Sequence, residues 1–137
     1  GFLSSLHRRL GDYEQARALG EECLRINRER QDPEGTANAL VTLGTIVLAQ
    51  GDAALAGQLG EEALALHQTL NHQLGMGLDF ALLGDIARAR GAYAEALGHY
   101  RRCLGLWRER ENTVSSAAVL DSVAQTLGLA FLSKNEN

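Results

Sequence analysis

The apolar residues of this chain recur at intervals of three and four almost from end to end, a spacing that gathers them on one face of an α-helix. Leu40, Leu43 and Val47 show it, as do Phe80, Leu83 and Ala87. The apolar stretches are separated by short polar breaks that carry Gly, Asp, Asn or the single Pro. Reading breaks as turns predicts seven helices, over residues 2–9, 13–30, 34–50, 53–70, 74–90, 92–110 and 113–133, with a fraying tail. β-Branched residues are sparse, and Ala, Leu, Glu, Arg and Gln dominate, so the fold class predicted is all-α.

The helices come in register. Units beginning at Gly11, Gly51 and Gly91 align at a forty-residue period without a gap. Ala16, Ala56 and Ala96 share a column, as do Leu24, Leu64 and Leu104, while Leu43-Gly44 matches Leu83-Gly84 and Val123-Ala124. Each unit divides into two helices. The Gly-Asp of residues 51 and 52 marks the hairpin inside a unit, Gly51 taking the left-handed conformation and Asp52 capping the next helix. Gly11-Asp12 and Gly91-Ala92 are expected to do the same. Between units the turns are expected near Asp32, which caps a helix whose first turn holds Pro33, with Asn71 and Asn112 in the same capping role. Gly44, Gly84 and Ala124, with Ala56 and Ala96, are small enough to let paired helices approach. Helix pairs that bury their faces only against neighbours build a solenoid.

The second full unit reads Phe80-x2-Leu83-Gly84-x2-Ala87, then Gly91, Tyr93 and Ala96-x3-Tyr100-x2-Cys103. The preceding one reads Leu40-x2-Leu43-Gly44-x2-Val47, then Gly51 and Ala56-x3-Gly60-x2-Ala63. Both resemble the tetratricopeptide repeat. The resemblance implies a right-handed superhelix of antiparallel helix pairs, about three and a half units long, whose first helices line a concave groove where a protein or peptide docks. Carried over, the groove positions are Asn38, Val41, Thr42, Thr45 and Leu48, then Leu78, Ala81, Leu82, Asp85 and Arg88, then Ala118, Asp121, Ser122 and Gln125. Thr45, Asp85 and Gln125 form a polar column forty residues apart. The long period resembles that of bacterial regulators such as maltose-regulon-activator-like, ATPase-linked transcription factors. That points to the sensor or scaffold region of a longer chain, with residues 1–137 as one repeat domain. Effector sensing, or a role as spacer or self-association module, are the alternatives.

Charge and candidate chemistry narrow this picture. A net charge of −4 and a pI near 5.5 argue against a nucleic-acid surface. No apolar run reaches the length expected of a membrane span and no signal peptide opens the chain, so no membrane contact and a cytoplasmic setting are expected. Cys23 and Cys103 fall in one column as buried packing residues too far apart for a disulfide or shared metal. His7, His67, His72 and His99 share no column and are expected at the surface or partly packed, so no metal site is assigned. Arg101, Arg102, Arg108 and Arg110 surround Trp107, a basic patch diluted by Glu109 and Glu111 that reads more readily as a solvated face around a half-buried Trp. No phosphate loop, nucleophile elbow or paired ligand set occurs, so neither catalytic residues nor cofactors are expected. The last helix is apolar for a solenoid end, and its bare face is expected to meet another copy or further repeats, giving a homo-oligomer in the first case.

Overall fold

The computed structural model describes the backbone of residues 2–108 and 113–135, with side chains from residue 9 to 108 and from 116 to 135. It contains six helices: α1 (Phe2–Glu29), α2 (Pro33–Ala49), α3 (Ala53–Thr69), α4 (Gln73–Ala89), α5 (Tyr93–Arg108) and α6 (Thr113–Asn135). The sequence pattern predicts seven. The missing break is Gly11-Asp12, which runs uninterrupted inside α1. A helix of residues 2–9 would span barely two turns, too short to stand alone. Keeping the i→i−4 bonds through Gly11 avoids the unpaired amides and carbonyls that a break would leave.

The four turns between α1 and α5 take three residues each and share one geometry. The middle residue is left-handed: Gln31 (φ 54°), Gly51 (94°), Asn71 (53°) and Gly91 (79°). The amide after it donates five residues back, from Asp32 to Asn27 at 3.0 Å, Asp52 to Val47 at 3.0 Å, His72 to His67 at 2.9 Å and Ala92 to Ala87 at 2.9 Å. The left-handed residue's own amide reaches three back, which completes the Schellman closure of the helix end. That same third residue then caps the following helix. Asp32 accepts from the Gly35 amide and Asp52 from that of Leu55, both at 3.0 Å. Asn71, expected to cap, holds the left-handed position instead, where its short polar side chain is tolerated; His72 caps, its Nδ1 accepting from Gly75 at 2.8 Å. Ala92 has no side-chain acceptor. Asn112 lies outside the described residues.

Because α2, α3 and α4 are each 17 residues long, helix plus turn repeats every twenty residues and the pair every forty. Consecutive helices pack antiparallel. In addition the α4 backbone comes close to those of both α2 and α6, whereas among the described residues the odd helices meet at most through long side chains, as where Arg28 of α1 donates to Glu62 of α3 at 2.9 Å. The even helices therefore form the tighter inner layer of an all-α solenoid and the odd helices its outer layer.

Glycines let the layers close. A Cβ at Gly84 would sit 2.5 Å from Cε1 of Tyr100, and one at Gly44 would lie 2.8 Å from Cδ2 of Leu82. Ala56 and Ala96 are fully buried, but Ala124 is exposed, as among the described residues no helix lies over its side of α6. The cysteine column splits in the same way: Cys103 is buried and Cys23 exposed, since among the described residues no helix packs on that side of α1. Both thiols are free.

The glycine that opens each unit thus has two different roles, and substitution separates them. Gly51→Ala and Gly91→Ala should each lower stability by about 1 kcal/mol through strain at positive φ. Gly11→Ala, mid-helix with nothing within 4 Å of a new Cβ, should raise it by about as much. Denaturation midpoints that shift in the same direction for Gly11 and Gly51 would remove this distinction.

Candidate functional site

The candidate groove residues lie on the inner helices α2, α4 and α6. Asn38, Thr42, Thr45, Leu78, Ala118, Asp121 and Gln125 are exposed, while Val41, Leu48, Ala81, Asp85, Arg88 and Ser122 are half-buried. Leu82 departs from its expected place. It is buried, its side chain filling the space above Gly44 and Gly60, where a glycine in α3 leaves room that Tyr100 occupies in the next unit.

Much of the polar chemistry on this face is spent within the fold. Thr42 donates to the Asn38 carbonyl at 3.0 Å, Thr45 to that of Val41 at 3.0 Å and Ser122 to that of Ala118 at 3.3 Å, so the hydroxyls serve their own helices. Asp85 accepts from the Tyr100 hydroxyl at 2.5 Å and lies 3.5 Å from the Arg88 guanidinium. Arg88 in turn donates to Gln125 at 3.3 Å. Two members of the polar column, Asp85 and Gln125, are thereby joined through Arg88, and α4, α5 and α6 are tied together. Burial first, and then the carboxylate of Asp85, push the Tyr100 hydroxyl above its ordinary pKa, so it stays a donor.

At the other end of the groove, Asn38 touches a polar cluster that the sequence reading missed. His67, expected at or near the surface, is fully buried, as is Asp79. Nδ1 of His67 lies 2.6 Å from Oδ2 of Asp79, and Nε2 lies 3.4 Å from Oδ1 of Asn38. The His72 ring stands 5.3 Å from that of His67, with its Nε2 3.3 Å from Glu34. The cluster joins α2, α3 and α4 through Glu34 and Asn38, His67, and Asp79, with His72 in the turn. Among the described residues no donor reaches Oδ1 of Asp79. A signal for it was present forty residues apart. His67 shares its column with Asn27 and Trp107, and a Cβ at Gly35 would collide with Asn27, one at Gly75 with His67 and one at Gly77 with Trp107.

Trp107 is accordingly buried rather than half-buried, and its indole donates to the Leu74 carbonyl at 3.3 Å. Arg102 instead stands over Phe80, 5.7 Å from the ring centre, so the basic residues and the Trp do not form one patch. Arg110, Glu109 and Glu111 lie outside the described residues. Burial, and next the charge of Asp85, push the Cys103 thiol up to about 12, which leaves it a neutral packing group. Among the described residues no three His, Cys, Asp or Glu side chains gather as a metal requires. One correction concerns α6. Residues Ser116–Asn135 have a mean hydropathy of 1.3, long and apolar enough by length and composition to cross a membrane. Its Leu, Val, Ala and Phe residues raise this average, and the Ser, Asp, Gln, Thr and Gly between them keep it from forming one apolar run.

The buried pair makes a pH prediction. Burial raises the Asp79 carboxyl to about 6, with the hydrogen bond and charge of His67 and the charge of His72 opposing the shift. A folded-state value above the unfolded one means that the folded chain binds the proton more tightly. Stability is therefore gained as pH falls from about 6 towards 4 and is absent at neutral pH, a span of about 3 kcal/mol at most. Asp79→Asn carries no such proton, so its stability relative to wild type should decline between pH 7 and pH 4, read from urea midpoints. A constant difference would mean that Asp79 titrates as it does in the unfolded chain.

Comparison with known sequences agrees with this architecture. A family model described as tetratricopeptide repeat matches residues 1–69, half of the chain, and a second of the same description matches residues 80–113. A search of curated proteins returns no match. Repeats of this kind are protein–protein interaction or scaffold modules, and the family is generally non-catalytic. Paired helices on a forty-residue ruler, glycines set against aromatic side chains and two family matches lead to one assignment: the chain belongs to the tetratricopeptide repeat family.

Proposed function

We propose that this chain binds a segment of another protein along the inner face of α2, α4 and α6, as the sensor or scaffold region of a larger bacterial transcriptional or signalling regulator. One observation carries the groove reading. The exposed positions of the three inner helices, Asn38 and Thr42, Leu78, and Asp121 and Gln125, lie on the layer whose helices touch one another. The acidic balance of the chain supports a protein partner rather than a nucleic acid. The internal pairing of Asp85 with Arg88 leaves a nearly neutral centre flanked by Leu78, suited to an apolar or amphipathic segment more than to a highly charged one.

A second reading, effector sensing, rests on a cavity of about 490 Å³ between α5 and α6, lined by Leu97, Leu104, Val123 and Leu127 with the guanidinium groups of Arg101 and Arg108. An apolar wall with two cations suits a small carboxylate or phosphate ester. Thermal-shift screening with such metabolites tests it, because a ligand held only by the folded state raises the melting temperature.

For the leading reading, an array of immobilised peptides identifies binders, and Leu78→Asp then probes the groove at an exposed position. Affinity should fall about tenfold or more, which is about 1.4 kcal/mol, with helicity unchanged by circular dichroism. Binding that survives both Leu78→Asp and Gln125→Ala would place the contact elsewhere.

A further inference from the structure

Neighbouring outer helices leave a gap between them, and the two gaps inside the chain differ in charge. In the first, Arg28 of α1 donates to Glu62 of α3 at 2.9 Å, so a cation and an acid join the two outer helices. Forty residues on, in the gap between α3 and α5, the same columns hold Gln68 and Arg102. The cation has become a neutral amide and the acid a cation. Among the described residues neither side chain has a hydrogen-bond or ion-pair partner, and the Arg102 guanidinium stands over the Phe80 ring, 5.7 Å from its centre.

This second gap is also the more open. In the first, the inner helix presents Thr36 and Leu40, both buried. Met76 and Phe80 stand in those columns on α4 and are only half-buried, as is Leu106 on α5. Together with Gln68, Arg102 and Gly105 they line a cavity of about 420 Å³, on the other side of α4 from the groove. Every wall lies between residues 68 and 106, so the cavity is built wholly from internal repeats.

We propose that this cavity binds a small apolar carboxylic acid, with its carboxylate between the Arg102 guanidinium and the Gln68 amide and its body against Met76, Phe80 and Leu106. The ligand supplies the acid that the first gap has in Glu62 and the second gap lacks. An arginine held over an aromatic ring keeps its in-plane N–H donors for a carboxylate. Gln68 adds an amide donor, and no acidic side chain lines the cavity. A mostly apolar wall with two convergent polar groups, at this volume, is the make-up of a small-molecule site.

The neighbouring cavities suit this ligand less. At the other end of the same gap, a cavity of about 400 Å³ contains Arg90, but Glu61 and Glu95 also line it and repel an anion. The counterpart in the first gap, about 340 Å³, is lined by Asp32 and by an Arg28 that Glu62 already satisfies. The cavity between α5 and α6 shares only Gly105 with the proposed site and presents Arg101 and Arg108 instead. No residue of the site belongs to the inner-face groove, so the two readings stand or fall separately.

Hydrocinnamate is the probe, and its uncharged amide the control of the same shape. Titrated into the isotope-labelled chain, the acid should shift the amide resonances of Met76, Phe80 and Leu106 to saturation. The uncharged control should bind about tenfold more weakly or less. Arg102→Gln alters an exposed residue and should weaken the acid by about tenfold or more, with helicity unchanged. Gln68→Glu sets the chain's own carboxylate beside Arg102, restoring an internal pair as in the first gap, and should weaken it as much. The double variant Arg101→Gln, Arg108→Gln strips the α5–α6 cavity of its cations and should bind as the wild type does. Resonances that stay still up to the solubility limit of hydrocinnamate overturn the inference. Equal affinity for acid and control overturns it too, because the cleft is then merely apolar. So does binding that survives Arg102→Gln, or binding that the double variant abolishes.

Discussion

The fold depends first on a three-residue turn that ends one helix and starts the next with the same residues. At positions 31, 51, 71 and 91 a left-handed residue closes the preceding helix, and the residue after it both completes that closure and begins the following helix. No slack remains between helices. With α2, α3 and α4 all 17 residues long, each face returns after forty residues, and side chains far apart in sequence acquire matching surroundings. The cost of placing Gln31 and Asn71 at positive φ, about 1 kcal/mol each, is offset by the carbonyls that the turn satisfies.

The common turn and spacing alone would stack the helices without fixing how closely. The distance is set by pairing small residues with large ones. Gly84 accepts the Tyr100 ring, and Gly77 the Trp107 indole, while Gly44 and Gly60 share Leu82. The large member changes position from unit to unit, so the columns conserve combined volume rather than residue type. That explains why Gly60 and Tyr100 can occupy one column. It also explains how His67, between Asn27 and Trp107 in its column, came to be buried and had to find Asp79 and Asn38 as partners.

The repeat and the helical class were legible from columns that return every forty residues, and the turn at Gly51 because glycine at positive φ and Asp at an N-cap stand side by side there. Two parts were not. Gln31 adopts the conformation that Gly51 adopts with no side-chain rule to mark it, and Asn71, which can take that position, reads equally well as a cap. Gly11-Asp12 carries the mark without the turn: α1 runs straight through it, so the Gly-Asp pair by itself does not dictate a hairpin. The candidate site divides along a similar line. Which residues sit on the inner helices follows from the repeat register, and Leu82 fails only because Gly44 and Gly60 both open space beneath it. Which of them retain free polar groups depends on neighbours from other helices, as with Asp85 between Tyr100 and Arg88, and the register of one helix does not contain that information.

This wiring bears on what the inner face can recognise. A carboxylate already holding a hydroxyl at 2.5 Å and standing 3.5 Å from a guanidinium offers little unpaired charge to a partner. Recruiting it would mean breaking contacts that also bind α4 to α5 and α6. Recognition that leaves the fold intact must instead use what is exposed, namely the apolar surface of Leu78, the Asn38 amide beyond its contact with His67 and the carboxylate of Asp121. These groups lie on three different inner helices, so a partner that engages them together has to run across the helices. Its affinity would then depend on how many repeats it spans.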